Sequence, residues 1–125
     1  MANAILIYTG SAVIILWGIT HLIPTKAVVN GFEPVSEDNK RIIAMEWMAE
    51  GLTLCFKGLL VLFATMLQGC RNPATHTLYI GSGLMLAVMA GLTFFTGFKT
   101  SIAPIKFCPF VKITVAALFL PGSVL

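Results

Sequence analysis

The sequence predicts an all-α integral membrane protein, a bundle of four helices that each cross the bilayer. Three observations predict it: a hydrophobic content of 58%, a charged content of only 10%, and four long apolar segments separated by polar breaks. A soluble domain has about 25% charged residues, so this chain has too few to cover a water-facing surface. Its 125 residues predict a single domain.

The first two spans are bounded by residues that stop or start helices. The first covers 4–23 and ends before Pro24, and because it lacks a positively charged start it is predicted to be a retained helix rather than a signal peptide. The second covers 42–67. Its helix is expected to begin outside the membrane at Ser36, whose side chain can accept a hydrogen bond from a free N–H group, with two acidic residues following in the first turn.

The last two spans follow a short polar turn. The third covers 77–96, and the fourth covers 110–125, beginning after Pro109 and containing Pro121. A helix needs about 20 apolar residues to cross a bilayer. The fourth span is shorter than that, so we expect it to be tilted or partly covered by its neighbours. Cys108, just before the proline, is predicted to take a cap-like structural role at the start of this helix.

Basic residues predict the orientation of the bundle, because Lys and Arg concentrate in cytoplasmic loops. The second loop has only Arg71. The first and third loops, which lie on the opposite side of the membrane, contain Lys26, Lys40, Arg41, Lys99 and Lys106. We therefore predict a bacterial inner-membrane protein whose loops 1 and 3 face the cytoplasm and whose two termini both lie on the outer side.

Small residues recur at every fourth position of the third span, namely Gly83, Ala87 and Gly91. Such a stripe lets two helices approach closely. It predicts either packing inside the bundle or the contact surface of a homodimer or larger membrane complex, and the pattern alone does not separate these. Membrane lipids are the other expected partners. Nucleic acid is not expected, because the chain has no basic run interleaved with aromatic residues.

The second span has ionisable residues at depths where charge is costly. At 100° per residue, one face of this helix has a polar stripe about 60° wide, formed by Glu46, Glu50, Thr53 and Lys57. Measured from the start of the span, the three charged residues lie about 6, 12 and 22 Å deep. A charge at such depth costs at least about 2.5 kcal/mol, so the stripe is expected to face the bundle interior. Lys57 is expected either to pair with Glu50, bridged by Thr53, or to extend to water on the outer side.

Residues of the other spans can meet this stripe and form a polar pocket near the cytoplasmic face. His21 ends the first span at the depth of Glu46, so these two side chains are expected to pair. Trp17 lies one turn deeper, where its indole N–H can reach Glu50. The predicted ligand-binding residues are Trp17, His21, Glu46, Trp47, Glu50, Thr53, Lys57 and Thr93, and the fourth span can add Lys112 and Cys108.

Three roles fit such a pocket. Its groups can hold the helices together; they can bind an apolar molecule with one polar end, such as a quinone, a sterol-like lipid or an acyl chain; or Glu46 or Glu50 can donate a proton to a lipid, with His21 as partner. We predict a non-enzymatic accessory or small-lipid-binding protein, with an isomerase- or oxidoreductase-like lipid-modifying enzyme as the alternative.

No metal is predicted, because no single helix has H-x-x-x-H or E-x-x-H spacing. No cofactor is predicted beyond a bound quinone or lipid.

A few residues resemble those of a known family. Gly18 and His21 at the end of the first span, and Glu50-Gly51-Leu52 with Leu54 and Gly58 in the second, resemble the DoxX-like group of small bacterial membrane proteins. The resemblance implies a compact four-helix bundle, and some members are similar to, or associate with, quinol oxidase subunits. A more distant likeness in architecture, to four-helix sterol isomerases with acidic cavity residues, implies proton transfer instead.

Overall fold

Five helices make up the part of the chain that the computed structural model describes, which is residues 2–31, 34–97 and 103–125. In chain order they are α1 (Ala2–Leu22), α2 (Thr25–Asn30), α3 (Glu37–Gln68), α4 (Pro73–Gly97) and α5 (Ala103–Val124). The four longer helices are apolar enough to cross a membrane. The predicted all-α membrane bundle is therefore confirmed. Lys99, one of the predicted loop charges, lies outside the described residues.

The outward faces of the long helices are apolar, as a bilayer requires. Large side chains such as Phe63, Leu84 and Phe95 are exposed over most or half of their surface. A soluble protein rarely exposes so continuous an apolar surface.

The four long helices form an arc rather than a closed ring. α1 packs along both α3 and α5, and α4 packs along α5, whereas α3 and α4 contact each other sparsely although a short turn joins them. The order around the arc is therefore α3, α1, α5, α4. This arrangement leaves a gap between α3 and α4, and the candidate site lies there.

Glycines allow the close crossing of α1 and α3. A Cβ atom on Gly18 would lie 2.5 Å from the Cys55 sulfur and 2.8 Å from the Gly51 carbonyl oxygen, so no larger residue fits without a shift of α3. A Cβ atom on Gly51 would lie 3.0 Å from the Cβ of His21. The two backbones therefore approach closely, and His21 is held directly against α3 beside Glu50.

The start of α3 confirms the predicted cap. Ser36 has an extended backbone, and its hydroxyl oxygen accepts a hydrogen bond from the Asn39 N–H at 3.2 Å. The two acidic residues predicted for the first turn, Glu37 and Asp38, lie there. With 32 residues α3 is about 48 Å long, so it extends beyond a hydrocarbon core of about 30 Å.

The start of α5 corrects two predictions. The helix begins at Ala103 instead of after Pro109, and both Pro109 and Pro121 lie inside it. A proline removes one backbone hydrogen bond from a helix, but membrane helices tolerate this because neighbouring helices cover the freed carbonyl group. The fourth span is thus longer than predicted. Cys108 lies within α5 and is fully buried, so its predicted cap-like role is wrong.

The small residues of α4 are used partly within the molecule. A Cβ atom on Gly83 would lie 2.8 Å from the side chain of Leu120, so Gly83 permits the close approach of α4 to α5. Ala87 packs against the buried core, while a Cβ atom on Gly91 would meet no atom within 4 Å. Internal packing therefore accounts for the first two positions, and a homodimer contact at Gly91 stays a prediction.

Candidate functional site

His21 lies in the last turn of α1 between two tryptophan rings. Its side chain is 2% exposed. The imidazole stacks on Trp47 with ring centroids 4.3 Å apart, and the edge of Trp17 faces it at 5.6 Å. The Trp47 indole N–H donates to the His21 carbonyl oxygen at 2.5 Å. The ring is therefore fixed in place and its orientation is set by neighbours on both α1 and α3.

Glu50 is the charged centre of the site. Its Oε2 lies 3.6 Å from Nε2 of His21, and its Oε1 accepts a hydrogen bond from the Lys112 ammonium group. Lys112, on α5, is fully buried and also donates to the Thr93 hydroxyl of α4 at 2.9 Å. Two charges far from water are stable only when they are paired and hydrogen-bonded, and this arrangement satisfies both conditions.

Cys108 completes the group on the α5 side. Its Sγ lies 3.8 Å from His21 Nε2 and 3.9 Å from Glu50 Oε1. The Trp17 indole N–H donates to the same sulfur at 3.4 Å. Four helices thus converge on one set of side chains, which we call the polar cluster: Trp17, His21, Trp47, Glu50, Thr93, Cys108 and Lys112.

Five of the seven residues of the polar cluster line a cleft between α3 and α4, and the other two, Trp17 and His21, lie behind them. The cleft has a volume of about 630 Å³, within the range of small-molecule sites. Its walls are mostly apolar, with α3 and α4 on the two sides and α5 behind them; the apolar lining residues include Ile42, Ile43, Met85, Met89, Leu92 and Ile105. The polar lining residues include Glu46, Glu50, Thr53, Thr93, Cys108 and Lys112. Because α3 and α4 contact each other sparsely, the cleft opens sideways between these two helices.

Five of the eight predicted pocket residues meet in this structure, namely Trp17, His21, Trp47, Glu50 and Thr93. The predicted pairs differ in two ways. His21 meets Glu50 rather than Glu46, because the glycine crossing brings the end of α1 against Gly51. The Trp17 indole donates to Cys108 of α5, at 3.4 Å, rather than to Glu50.

The other three predicted residues lie apart from the polar cluster. Glu46 is exposed on the cleft wall and has no ion pair within the described part of the chain. The Thr53 hydroxyl donates to the Ala49 carbonyl oxygen of its own helix at 2.7 Å, so it bridges nothing. Lys57 points its ammonium group at the Met89 sulfur, 3.9 Å away. The predicted pairing of Lys57 with Glu50 is wrong, because Lys112 takes that position.

Lys112 and Cys108 matter more than the sequence indicated. They are four residues apart on α5, so they share a face of that helix. This spacing was visible in the sequence. Both residues were predicted as possible additions to the pocket, but Cys108 was placed at the start of the helix, where a cap-like role was expected, and it lies buried within α5 instead.

No family model, curated protein or solved structure matches this chain. The likeness to DoxX-like proteins therefore stays a prediction, and the geometry of the polar cluster and the cleft carries the functional argument.

Proposed function

We propose that this protein is a non-enzymatic membrane protein that binds a small lipid with one hydrogen-bonding polar end, of the quinone or sterol-like kind. The cleft between α3 and α4 is the binding site. The observation that supports this is the division of its lining, with apolar walls on α3 and α4 and a charged, hydrogen-bonding floor at Glu50, Lys112 and Thr93.

The chemistry of the walls favours a membrane-dissolved ligand. Met85, Met89 and Leu92 offer flexible and aliphatic contacts to a tail or ring system. A ligand already in the bilayer enters sideways between α3 and α4, without crossing the polar interface. Its polar end, which has no hydrogen-bond partner in hydrocarbon, then meets the Lys112 ammonium group and the Thr93 hydroxyl.

Comparison of two matched variants tests this proposal. Leu92 lines the cleft, whereas Leu84 is on the same helix, similarly exposed, and outside the cleft. The protein is purified in mild detergent, and its bound lipids are extracted and identified by mass spectrometry. We expect one stoichiometric small lipid with the wild type and with Leu84→Trp, and loss of most of it with Leu92→Trp. Bulk phospholipid alone in the wild type would contradict the proposal.

A second candidate function is proton transfer to a bound lipid. It is favoured by the contact between His21 Nε2 and Glu50 Oε2 at 3.6 Å, with the carboxylate lining the cleft. Glu46 is a second carboxyl group on the same wall. Incubation of the protein with its extracted lipid in heavy water separates the two functions. An enzyme introduces deuterium at carbon or converts the lipid, and Glu50→Gln stops this, whereas a binding protein returns the lipid unchanged.

We further propose that the chain is a DoxX-like protein of a bacterial inner membrane, with loops 1 and 3 in the cytoplasm. Lys26, Lys40 and Arg41 precede or begin α3 on the side that is predicted to be cytoplasmic, and Arg71 lies in the opposite turn. Reporter fusions test this sidedness. A periplasmic alkaline phosphatase fused after residue 125 is expected to be active, and cytoplasmic activity of a fused fluorescent reporter there would contradict it.

A further inference from the structure

We propose that His21, Glu50 and Cys108 form a binding site for one divalent metal ion of the zinc class, at the floor of the cleft. The three residues come from α1, α3 and α5, and their possible ligand atoms all lie within 4.8 Å of one another. Imidazole nitrogen, carboxylate oxygen and thiolate sulfur are the three ligand types that zinc takes in proteins. The sequence motifs H-x-x-x-H and E-x-x-H describe metal ligands on a single helix. They cannot reveal a site whose three ligands come from three different helices.

The distances from His21 to the other two possible ligands are close to those of a tetrahedral site. His21 Nε2 lies 3.6 Å from Glu50 Oε2 and 3.8 Å from Cys108 Sγ, and the same sulfur lies 3.9 Å from Oε1, the other oxygen of the Glu50 carboxylate. Ordinary zinc–ligand bond lengths at tetrahedral angles place such atoms about 3.4–3.6 Å apart. Both distances from His21 therefore need a contraction of only a few tenths of an ångström, and rotation of the Glu50 and Cys108 side chains would bring Oε2 and Sγ onto the same ion.

The neighbours of the three residues already make the hydrogen bonds that metal ligands need. His21 Nδ1 lies 3.4 Å from the Trp17 carbonyl oxygen, which can only accept a hydrogen bond, so Nδ1 carries the proton. In this tautomer the lone pair of Nε2 is directed at Glu50 and Cys108, the other two possible metal ligands. A metal-bound histidine almost always makes this kind of hydrogen bond. The Trp17 indole N–H donates to Cys108 Sγ, and such a bond stabilises the thiolate. Trp47 stacks on the imidazole and fixes its plane.

Lys112 is compatible with an ion at this site. Its ammonium group pairs with Oε1 of Glu50, so Oε2 is available to the metal. Binding releases the thiol proton of Cys108 to solvent. The thiolate and the carboxylate then balance the two charges of the ion, and the ammonium charge is left over. This favours an anion at the fourth position, either hydroxide or the ionised head of a ligand in the cleft, which Glu50 and Cys108 both line.

Cobalt serves as the probe, because a thiolate bound to Co²⁺ gives an intense near-ultraviolet absorption and tetrahedral Co²⁺ gives visible bands. Full-length protein in detergent is stripped with a chelator, exchanged into buffer and titrated with Co²⁺. We expect both absorptions to saturate at one ion per chain and to disappear when Zn²⁺ is added. A titration with no thiolate absorption would overturn the proposal.

The other two cysteines provide the matched control. Cys55 and Cys70 are both free, and neither is part of the cluster of possible ligands. The double variant Cys55→Ser/Cys70→Ser keeps Cys108 as its one thiol, so it is expected to keep the whole absorption. Cys108→Ser is expected to lose it, and Glu50→Gln to weaken Co²⁺ binding by more than about tenfold.

If Cys108→Ser does not fold, the double variant alone still identifies Cys108 as the source of the thiolate absorption. Absence of the absorption in a folded double variant, as judged by its circular dichroism, would overturn the site. The proposal does not rest on the lipid-binding function. A negative lipid extraction leaves the cobalt titration unaffected, and a negative titration leaves the cleft and its apolar walls unaffected.

Discussion

The two ends of the bundle bury polar side chains in different ways. At one end, near the α3–α4 turn, Thr65 and Tyr79 are buried and their hydroxyl oxygens lie 2.6 Å apart. Because Thr65 donates to the Val61 carbonyl oxygen, the Tyr79 hydroxyl is the donor between them. At the other end the polar cluster contains an ion pair between the buried Lys112 and the partly buried Glu50, beside a cleft. One end is neutral and enclosed, and the other is charged and borders the cleft.

The difference concerns how much each end adds to stability. A neutral hydrogen bond between helices contributes about 0.6 kcal/mol in a membrane protein, and two helices can be joined this way at little cost. A buried ion pair is weak evidence for stability, because removal of two charges from water costs as much as their attraction returns. The neutral end is therefore explained by packing. The charged end is not explained by packing alone, and it is where the proposed ligand would bind.

The largest effect is expected where a charge loses its partner. Lys112→Met keeps most of the length of the side chain but removes the ammonium group, so that the Glu50 carboxylate keeps only the imidazole of His21, 3.6 Å away, as an ionisable partner. We expect the free energy of unfolding to fall by about 3–5 kcal/mol, as measured by denaturant titration in detergent. Lys40→Met, at an exposed contact with Glu37, is the control and is expected to change little. Equal losses of unfolding free energy in Lys112→Met and Lys40→Met would contradict the contrast between the ion pair inside the bundle and the exposed one.

A smaller effect is expected at the neutral end. Tyr79→Phe removes one hydrogen bond, while Thr65 keeps its own bond to the Val61 carbonyl oxygen, so no buried donor is left unsatisfied. We expect a loss of about 0.5–1.5 kcal/mol in the same titration. Tyr8→Phe, on an exposed face of α1, is expected to leave stability unchanged. A loss at Tyr79 as large as that of Lys112→Met would mean that the two ends are not different in kind.

The smallest effect is expected at Glu46. This residue is exposed on the cleft wall and has no ion pair in the described ranges of the chain. Glu46→Gln is therefore expected to change stability by less than about 0.5 kcal/mol. Glu50→Gln differs from it by one helical turn on α3, and its larger loss in the same assay sharpens the comparison. A larger loss of stability at Glu46 than at Glu50 would mean that Glu46, and not Glu50, is the paired carboxylate.

The sequence predicted the fold well, because hydropathy and caps are local. Four spans follow from runs of apolar residues, and the start of α3 follows from Ser36. The start of α5 was not predicted from the sequence, because a proline such as Pro109 usually stops a helix in water but is accommodated inside a membrane bundle. The short α2 also did not follow, since its six residues after Pro24 have no clear helical pattern.

The site was predictable only as a list of residues. The periodicity of α3 turned Glu50 inward, and the depth of His21 brought it near the same level. Which carboxylate meets the imidazole depends on the crossing at Gly18 and Gly51, where an offset of one turn selects Glu50 over Glu46. The assembly of His21, Glu50 and Cys108 involves three helices far apart in sequence. No pattern within one helix encodes such a cluster.

A double-mutant cycle on Glu50 and Lys112 tests the central claim, that these two residues form an ion pair inside the bundle at the floor of the cleft. The free energy of unfolding is measured for the wild type, Glu50→Gln, Lys112→Met and the double variant in one detergent. We expect the double variant to be more stable than Lys112→Met, with a coupling of about 2 kcal/mol or more, because it leaves no buried charge alone. Two losses that simply add would contradict the claim.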